Sequence, residues 1–323
     1  MSERLGGLVA AVFTPMDEGG EIAFERIAGY AALLAANGLA GVFVAGTTGE
    51  GMSLSIEERK RLAEAWVEAA PPPLRVIVHV GHTCLGECRA LAAHAAECGA
   101  RGIGALAPFF YRPAAVEDLV DWCAAIAAAA PRLPFYYYHM PAMSGVELPM
   151  VEFLSQAAAR IPNLAGMKYT DEDLEEFCAC RRLGDGRFDV LFGRDQMLLS
   201  AVRKGAGGAI GSTYNFAAPL YHAILRAHQE GDGARGEALQ AEACAMIEAC
   251  QAAGTAELPA LKAAMNILGV PCGPVRPPLR NLTAEECDRL RAALYALGME
   301  QWRCRPPGAG AAQTSNEEFG ARG

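Results

Sequence analysis

Leu164-Ala165-Gly166-Met167-Lys168-Tyr169 is an apolar run with a lysine near its end. A run without polar alternation reads as a strand buried on both faces, as in parallel sheets covered by helices. Seven other runs share this character: Leu8–Thr14, Gly41–Gly46, Arg75–Gly81, Gly102–Pro108, Pro134–Met140, Asp189–Gly193 and Ala209–Ser212. A helical pattern follows each of the eight, in chain order Ile22–Asn37, Ser55–Ala70, Cys84–Cys98, Val116–Ala130, Leu148–Arg160, Asp171–Leu183, Asp195–Lys204 and Ala217–Glu230. Ser55 stands three residues before Glu58, the capping-box arrangement.

Eight strand–helix units over about 230 residues match what is needed to close a parallel barrel. The alternative, an open doubly wound sheet, would show fewer strands and a Gly-x-Gly-x-x-Gly turn after the first of them. No such turn follows Leu8–Thr14. The expected fold class is therefore α/β, a (β/α)8 TIM barrel over residues 1–231. Three further helical patterns, Ala234–Ala253, Glu257–Leu268 and Ala284–Leu297, have no strands between them and read as a three-helix C-terminal extension over 232–303. Residues 304–323, rich in Gly, Ala and small polar residues from Pro306 onward, read as a disordered tail.

The chain has 323 residues, 52% hydrophobic and 20% charged, with a formal net charge of −9. That balance supplies a large core and argues against a nucleic-acid partner, which needs clustered Lys and Arg. It leaves room for a small anionic ligand in a locally positive pocket. Met1–Ala11 lacks a basic segment followed by an apolar core, and no stretch reaches the ~20 apolar residues that cross a bilayer. Eleven cysteines are scattered through helical patterns; reduced thiols in the cytoplasm are the expectation. Cys178-Ala179-Cys180 and Cys84…Cys88 lack paired metal-ligand spacing, so no metal is expected. Asn281-Leu282-Thr283 fits a glycosylation sequon but reads more simply as a loop into a helix capped by Thr283.

Of the four lysines, Lys60 lies in the charged run Glu57–Arg61, Lys204 ends a helix where a cation suits the dipole, and Lys262 lies in an extension helix. All three have ordinary explanations. Lys168 does not, because burying an unpaired ammonium costs on the order of several kcal/mol. Either a carboxylate partners it, or the amine is meant to be neutral. Desolvation would lower its pKa from ~10.4 and leave it nucleophilic toward a ketone. The position favours the second reading, since barrel chemistry is built at the carboxyl ends of strands. Gly46-Thr47-Thr48-Gly49-Glu50, Tyr138, Gly193-Arg194-Asp195-Gln196 and Gly211-Ser212-Thr213 all follow or close strands at that end.

Gly46-Thr47-Thr48-Gly49-Glu50, Tyr138-His139-Met140-Pro141-Ala142, Gly166-Met167-Lys168-Tyr169-Thr170 and Gly211-Ser212-Thr213-Tyr214-Asn215 together resemble the N-acetylneuraminate lyase and dihydrodipicolinate synthase superfamily. The resemblance covers the chain to about Leu297. Pro134–His139 and Ile77–Gly81 look like the animal N-acetylneuraminate lyases.

The resemblance implies a class I aldolase. In it, Lys168 forms an imine with the substrate C2 ketone, and Tyr138 moves the proton at the hydroxyl where the carbon–carbon bond breaks. The Thr47 and Thr48 hydroxyls and amides hold the pyruvyl carboxylate, and Thr170, Gly193, Asp195, Gln196, Gly211 and Ser212 contact the sugar-derived portion. It also implies sialic acid and pyruvate as ligands, no cofactor, no membrane partner and a homotetramer.

Synthases of the superfamily place an arginine where this chain has Met143, and a second, cross-subunit tyrosine where it has Phe110. Both departures point to the lyase branch and to cleavage of N-acetylneuraminate into N-acetylmannosamine and pyruvate. Another pyruvate or 2-keto-acid aldolase, or a non-catalytic sugar-acid-binding homologue, stays open. One departure falls on the lyase side: Gln196 stands where these lyases commonly carry an acidic residue. Arg194, between two expected contacts, is not assigned.

Overall fold

The structure, a computed structural model, describes residues 4–254 and 256–308. Eight strands, β1 (Gly7–Ala11), β2 (Gly41–Val44), β3 (Arg75–His79), β4 (Gly102–Leu106), β5 (Phe135–His139), β6 (Leu164–Tyr169), β7 (Asp189–Phe192) and β8 (Gly208–Gly211), form a closed barrel in chain order. β1 pairs with β8 in parallel and completes the ring, so the expected TIM barrel is the fold observed. The period-two geometry of a strand divides Phe135-Tyr136-Tyr137-Tyr138-His139 between two cores. Tyr136 and Tyr138 join Val9, Phe43, Ile77, Leu191 and Ile210 inside the barrel. Phe135 and Tyr137 pack outward against the surrounding helices.

Six of the eight strands are shorter than their apolar runs. The first run extends to Thr14, whereas β1 stops at Ala11. Val12, Phe13 and Thr14 remain buried after the strand ends. Apolarity reports burial, and the loops on the carboxyl face are buried too.

The helix of the second unit spans Ile56–Ala69, with Ser55 accepting from the Glu58 amide at 3.2 Å and Glu58 accepting from the Ser55 amide at 2.7 Å, as the capping box predicts. Thr283 caps Ala284–Ala296 in the same way. The expected helix Asp171–Leu183 starts at Leu174, because the Asp173 side chain accepts the Glu175 and Glu176 amides and caps it there. The expected Asp195–Lys204 helix opens with a 3-10 turn, Asp195–Met197, before Leu198–Arg203. The last barrel helix begins at Tyr214 and kinks at Ala217, two residues before Pro219. Proline lacks an amide proton, and its ring crowds the preceding turn.

After β8 and its helix come Gly233–Ala253, Glu257–Leu268 and Ala284–Ala296. Cys304 is buried, and its amide donates to the Phe216 carbonyl at 2.8 Å. From residue 309 the expected tail lies outside the described residues. No helix among the described residues is long and apolar enough to cross a membrane.

Candidate active site

Lys168 is the fifth residue of β6, and its backbone register partner on β5 is Tyr138. Both side chains point into the barrel mouth. The lysine is 5% exposed, and its Nζ lies 4.2 Å from the centre of the Tyr138 ring and 5.1 Å from that of Phe43. Among the described residues no carboxylate makes an ion pair with it. The aromatic faces supply a weak quadrupolar attraction and otherwise exclude water. The salt-bridged core lysine left open by the sequence is not what the fold builds.

The Tyr138 hydroxyl donates to Met140 Sδ at 2.8 Å and lies 3.2 Å from Thr47 Oγ1. Thr48 Oγ1 is 2.6 Å from Ser212 Oγ, which brings the turn after β2 against the turn after β8. The β2 turn is held by Glu50 N donating to Thr47 O at 3.0 Å and Gly51 N donating to Gly46 O at 3.0 Å. Among the described residues no protein acceptor takes the amide protons of Thr47, Thr48 or Gly49. A turn with two hydroxyls and unclaimed amides is suited to a carboxylate.

Asp195 and Gly211 meet on the adjoining side. Asp195 Oδ2 accepts from the Thr213 amide at 2.9 Å and the Thr213 hydroxyl at 2.6 Å, while Oδ1 is buried without a partner. Burial pushes the Asp195 carboxyl above its ordinary range, opposed by the Thr213 hydrogen bonds, the Lys168 charge and the neighbouring Tyr214 hydroxyl. A Cβ at Gly211 would fall on the Asp195 carboxylate, and one at Gly193 on the Thr170 hydroxyl. Both glycines are therefore spacers that let polar groups approach the backbone. Thr170 Oγ1 is also buried and unpartnered. A buried hydroxyl left unpaired in this way is costly unless a ligand satisfies it. Gln196 sits on the 3-10 turn, half-buried, with no side-chain hydrogen bond among the described residues.

The barrel thus gathers Lys168, Tyr138, Thr47, Thr48 and Ser212 into one contact network, with the Asp195–Gly211 and Thr170–Gly193 pairs beside it and Gln196 less engaged. Arg194, unassigned from the sequence, pairs with Glu172, and its Nε is buried without a partner. It lines a cavity of about 630 Å³ that shares Thr170 with the site and continues past His139, Asp171 and Glu176. Among the described residues no group of three or more His, Cys, Asp and Glu is placed to hold a metal ion.

The sequence reasoning missed three neighbours. Met140 touches the phenol hydroxyl and Phe43 lies under the ammonium, but ordinary apolar residues in apolar runs carry no signal. The third is a correction. Lys262 is no ordinary extension lysine: it is 1% exposed and paired at 2.7 Å with the buried Glu50, the last residue of the Thr-Thr turn motif. The available signal was a lone charge in the otherwise uncharged stretch Leu258–Leu268.

Residues 4–297 match the Dihydrodipicolinate synthetase family. The chain is 42% identical over 299 residues to the N-acetylneuraminate lyase of Mus musculus, covering 91% of this chain and 93% of the mouse protein. It superposes with a TM-score of 0.88 on the N-acetylneuraminate lyase (sialic acid aldolase) of Aliivibrio salmonicida, at 42% identity, covering 92% of this chain and 98% of that one. A Ruminococcus gnavus sialic acid aldolase, described as a catalytic lysine mutant, matches at TM-score 0.87 and 26% identity over 92% of this chain and 97% of that one. The protein belongs to the dihydrodipicolinate synthetase family of TIM barrels. Within it, the relatives it resembles at about two residues in five are the N-acetylneuraminate lyases.

Proposed function

We propose that this protein is a Schiff-base aldolase, a carbon–carbon lyase that cleaves N-acetylneuraminate to N-acetylmannosamine and pyruvate. The observation that carries the reading is Lys168, buried without a carboxylate partner beside the Tyr138 phenol at the carboxyl end of the barrel. The identity to curated and structurally solved lyases supports the same substrate.

In this reading the Lys168 amine attacks the C2 ketone of the open-chain sugar acid, water leaves, and a protonated imine remains. The carboxylate at C1 sits on the Thr47–Thr48 hydroxyls and amides. Tyr138, having given its own proton to the water that leaves at imine formation, accepts the proton of the C4 hydroxyl as the C3–C4 bond breaks, and the bonding pair passes into the imine to give an enamine. Protonation of the enamine carbon and hydrolysis of the imine release pyruvate and free the lysine. Asp195 Oδ1 and Thr170 Oγ1, with Gly193, Gln196, Gly211 and Ser212, contact the polyol and amide of the departing sugar.

The synthase reaction finds no support in the side chains. Met143, where a synthase arginine would grip a second carboxylate, is 65% exposed and has no charge to offer. Phe110 is 75% exposed and has no hydroxyl to relay a proton. Phe110 and Tyr111 instead stack edge-on at 5.0 Å on the surface, which supports a subunit contact within a homotetramer. Thiols such as Cys88, Cys123 and Cys180, buried free among apolar side chains, suit a reducing cytoplasm. The division into a barrel over 1–231 and a helical extension over 232–303 is part of the same proposal.

The test supplies N-acetylneuraminate and assays pyruvate and N-acetylmannosamine, with pyruvate and cyanoborohydride as a parallel incubation. Equal release of both products, and one trapped adduct lost in Lys168→Ala, is the expected result. An adduct without sialic acid cleavage would reassign the substrate to another 2-keto acid. No adduct at all would leave a sugar-acid-binding homologue.

A further inference from the structure

The strongest unassigned feature is a buried ion pair linking the extension to the site. Glu50 ends the turn that carries Thr47 and Thr48, and its backbone is left-handed, with φ 55° and ψ 30°. A residue with a Cβ is held in that region only when its surroundings impose it. The surroundings here are explicit. Lys262 Nζ, from the helix Glu257–Leu268, donates to Glu50 Oε1 at 2.7 Å and to the Pro274 carbonyl at 2.6 Å. The Arg276 amide donates to Glu50 Oε2 at 2.8 Å. Both carboxylate oxygens are thus committed, and both charged side chains lie out of solvent. Arg276 is itself tied to Glu58 through two guanidinium hydrogen bonds.

We propose that Lys262 is a positioning residue for the carboxylate-binding turn, acting through Glu50. The inference rests on the aldolase reading and deepens it. Glu50 N reaches back to Thr47 O at 3.0 Å, so the conformation that the ion pair imposes on Glu50 passes directly to Thr47. Thr47 in turn stands 3.2 Å from the Tyr138 hydroxyl. The extension therefore does more than cover the barrel. It supplies the counter-charge to the residue that closes the turn carrying the two threonine hydroxyls.

A buried pair broken on one side leaves an uncompensated charge, so Lys262→Met alone is prone to unfold. The decisive variant is the double Glu50→Gln/Lys262→Met, which contains no buried charge at this place. The measurement is trapping of Lys168 by cyanoborohydride at rising concentrations of pyruvate, and separately of pyruvamide, which has the ketone without the carboxylate. The expected result is a rise of about tenfold in half-saturating pyruvate, with an unchanged plateau of adduct and less than a twofold change for pyruvamide. A purely structural role would move both ketones together or neither, and either pattern overturns the inference while leaving the aldolase reading intact. Absence of adduct in the unaltered protein overturns both.

Discussion

Tyr138 and Lys168 are register partners across β5 and β6, and the lysine Nζ sits 4.2 Å from the centre of the phenol ring. Their separation is set by a hydrogen-bonded ladder rather than by a loop. A rigid support of that kind is what a proton donor or acceptor and a nucleophile acting on adjacent substrate atoms require.

Replacing the two residues separates their roles. Lys168→Ala is expected to remove imine trapping and cleavage together. Tyr138→Phe is expected to keep trapping with pyruvate while lowering kcat for N-acetylneuraminate by roughly 10²–10⁴-fold, the ordinary range for loss of general acid–base assistance. Trapping combined with steady-state kinetics checks this, and a Tyr138→Phe protein of normal kcat would remove the phenol from the mechanism.

Asp195 presents one carboxylate oxygen to Thr213, and the other is buried with no geometric hydrogen bond among the described residues. Asp195→Asn puts a donor where one acceptor now stands and is expected to raise KM for the sugar acid by about ten- to a hundredfold, the equivalent of ~1.4–2.8 kcal/mol. Half-saturating pyruvate in the trapping assay should change little. Gly211→Ala, which pushes a methyl into the same carboxylate, should reproduce the effect.

Gln196→Glu tests the departure from the acidic residue common in the lyase branch. Charge-assisted hydrogen bonds to hydroxyls contribute ~1.5–3 kcal/mol against ~0.5–1.5 for neutral ones. The expected gain is about 1 kcal/mol, a rise in kcat/KM of somewhat under tenfold, carried by KM with kcat spared. No gain at low substrate concentration would count against a sugar contact at this position.

Stability should fall as pH drops below about 6.5. Burial holds His79 well below its ordinary pKa, aided by the Arg59 charge, and burial also lowers His139 and His222. The unfolded chain takes up these protons near pH 6.5, whereas the native fold resists them. Native stability from this source is therefore present above that pH and lost below it. The slope is up to about 1.4 kcal/mol per pH unit for each histidine. Urea unfolding at pH 7.5 and 5.5 measures it, and His79→Gln should flatten part of the difference.

Much of the fold was legible because burial on both faces leaves a plain mark. Each of the eight apolar runs overlaps a barrel strand; β1 and β8 begin one residue before their runs, and the far ends were overread where buried loops prolonged the pattern. Lys168 was legible for the opposite reason, as one charge in an uncharged run. Lys262 carried the same mark more faintly and was passed over, because helices tolerate surface lysines and its partner Glu50 lies 212 positions away.

By themselves, the order and polarity of the residues determined that strands and helices would alternate, that the strands would be covered on both sides, and that one lysine would be carried inside. Closure of the barrel decided the rest. Thr48 and Ser212 are 164 positions apart, yet their hydroxyls touch because β1, pairing with both β2 and β8, brings the carboxyl ends of those two strands onto one rim. Local sequence encodes conformation and burial within a few residues. Contact between distant side chains, and with it the unpaired state of Lys168 and the paired state of Lys262, exists only once the ring is complete and water has been displaced from both.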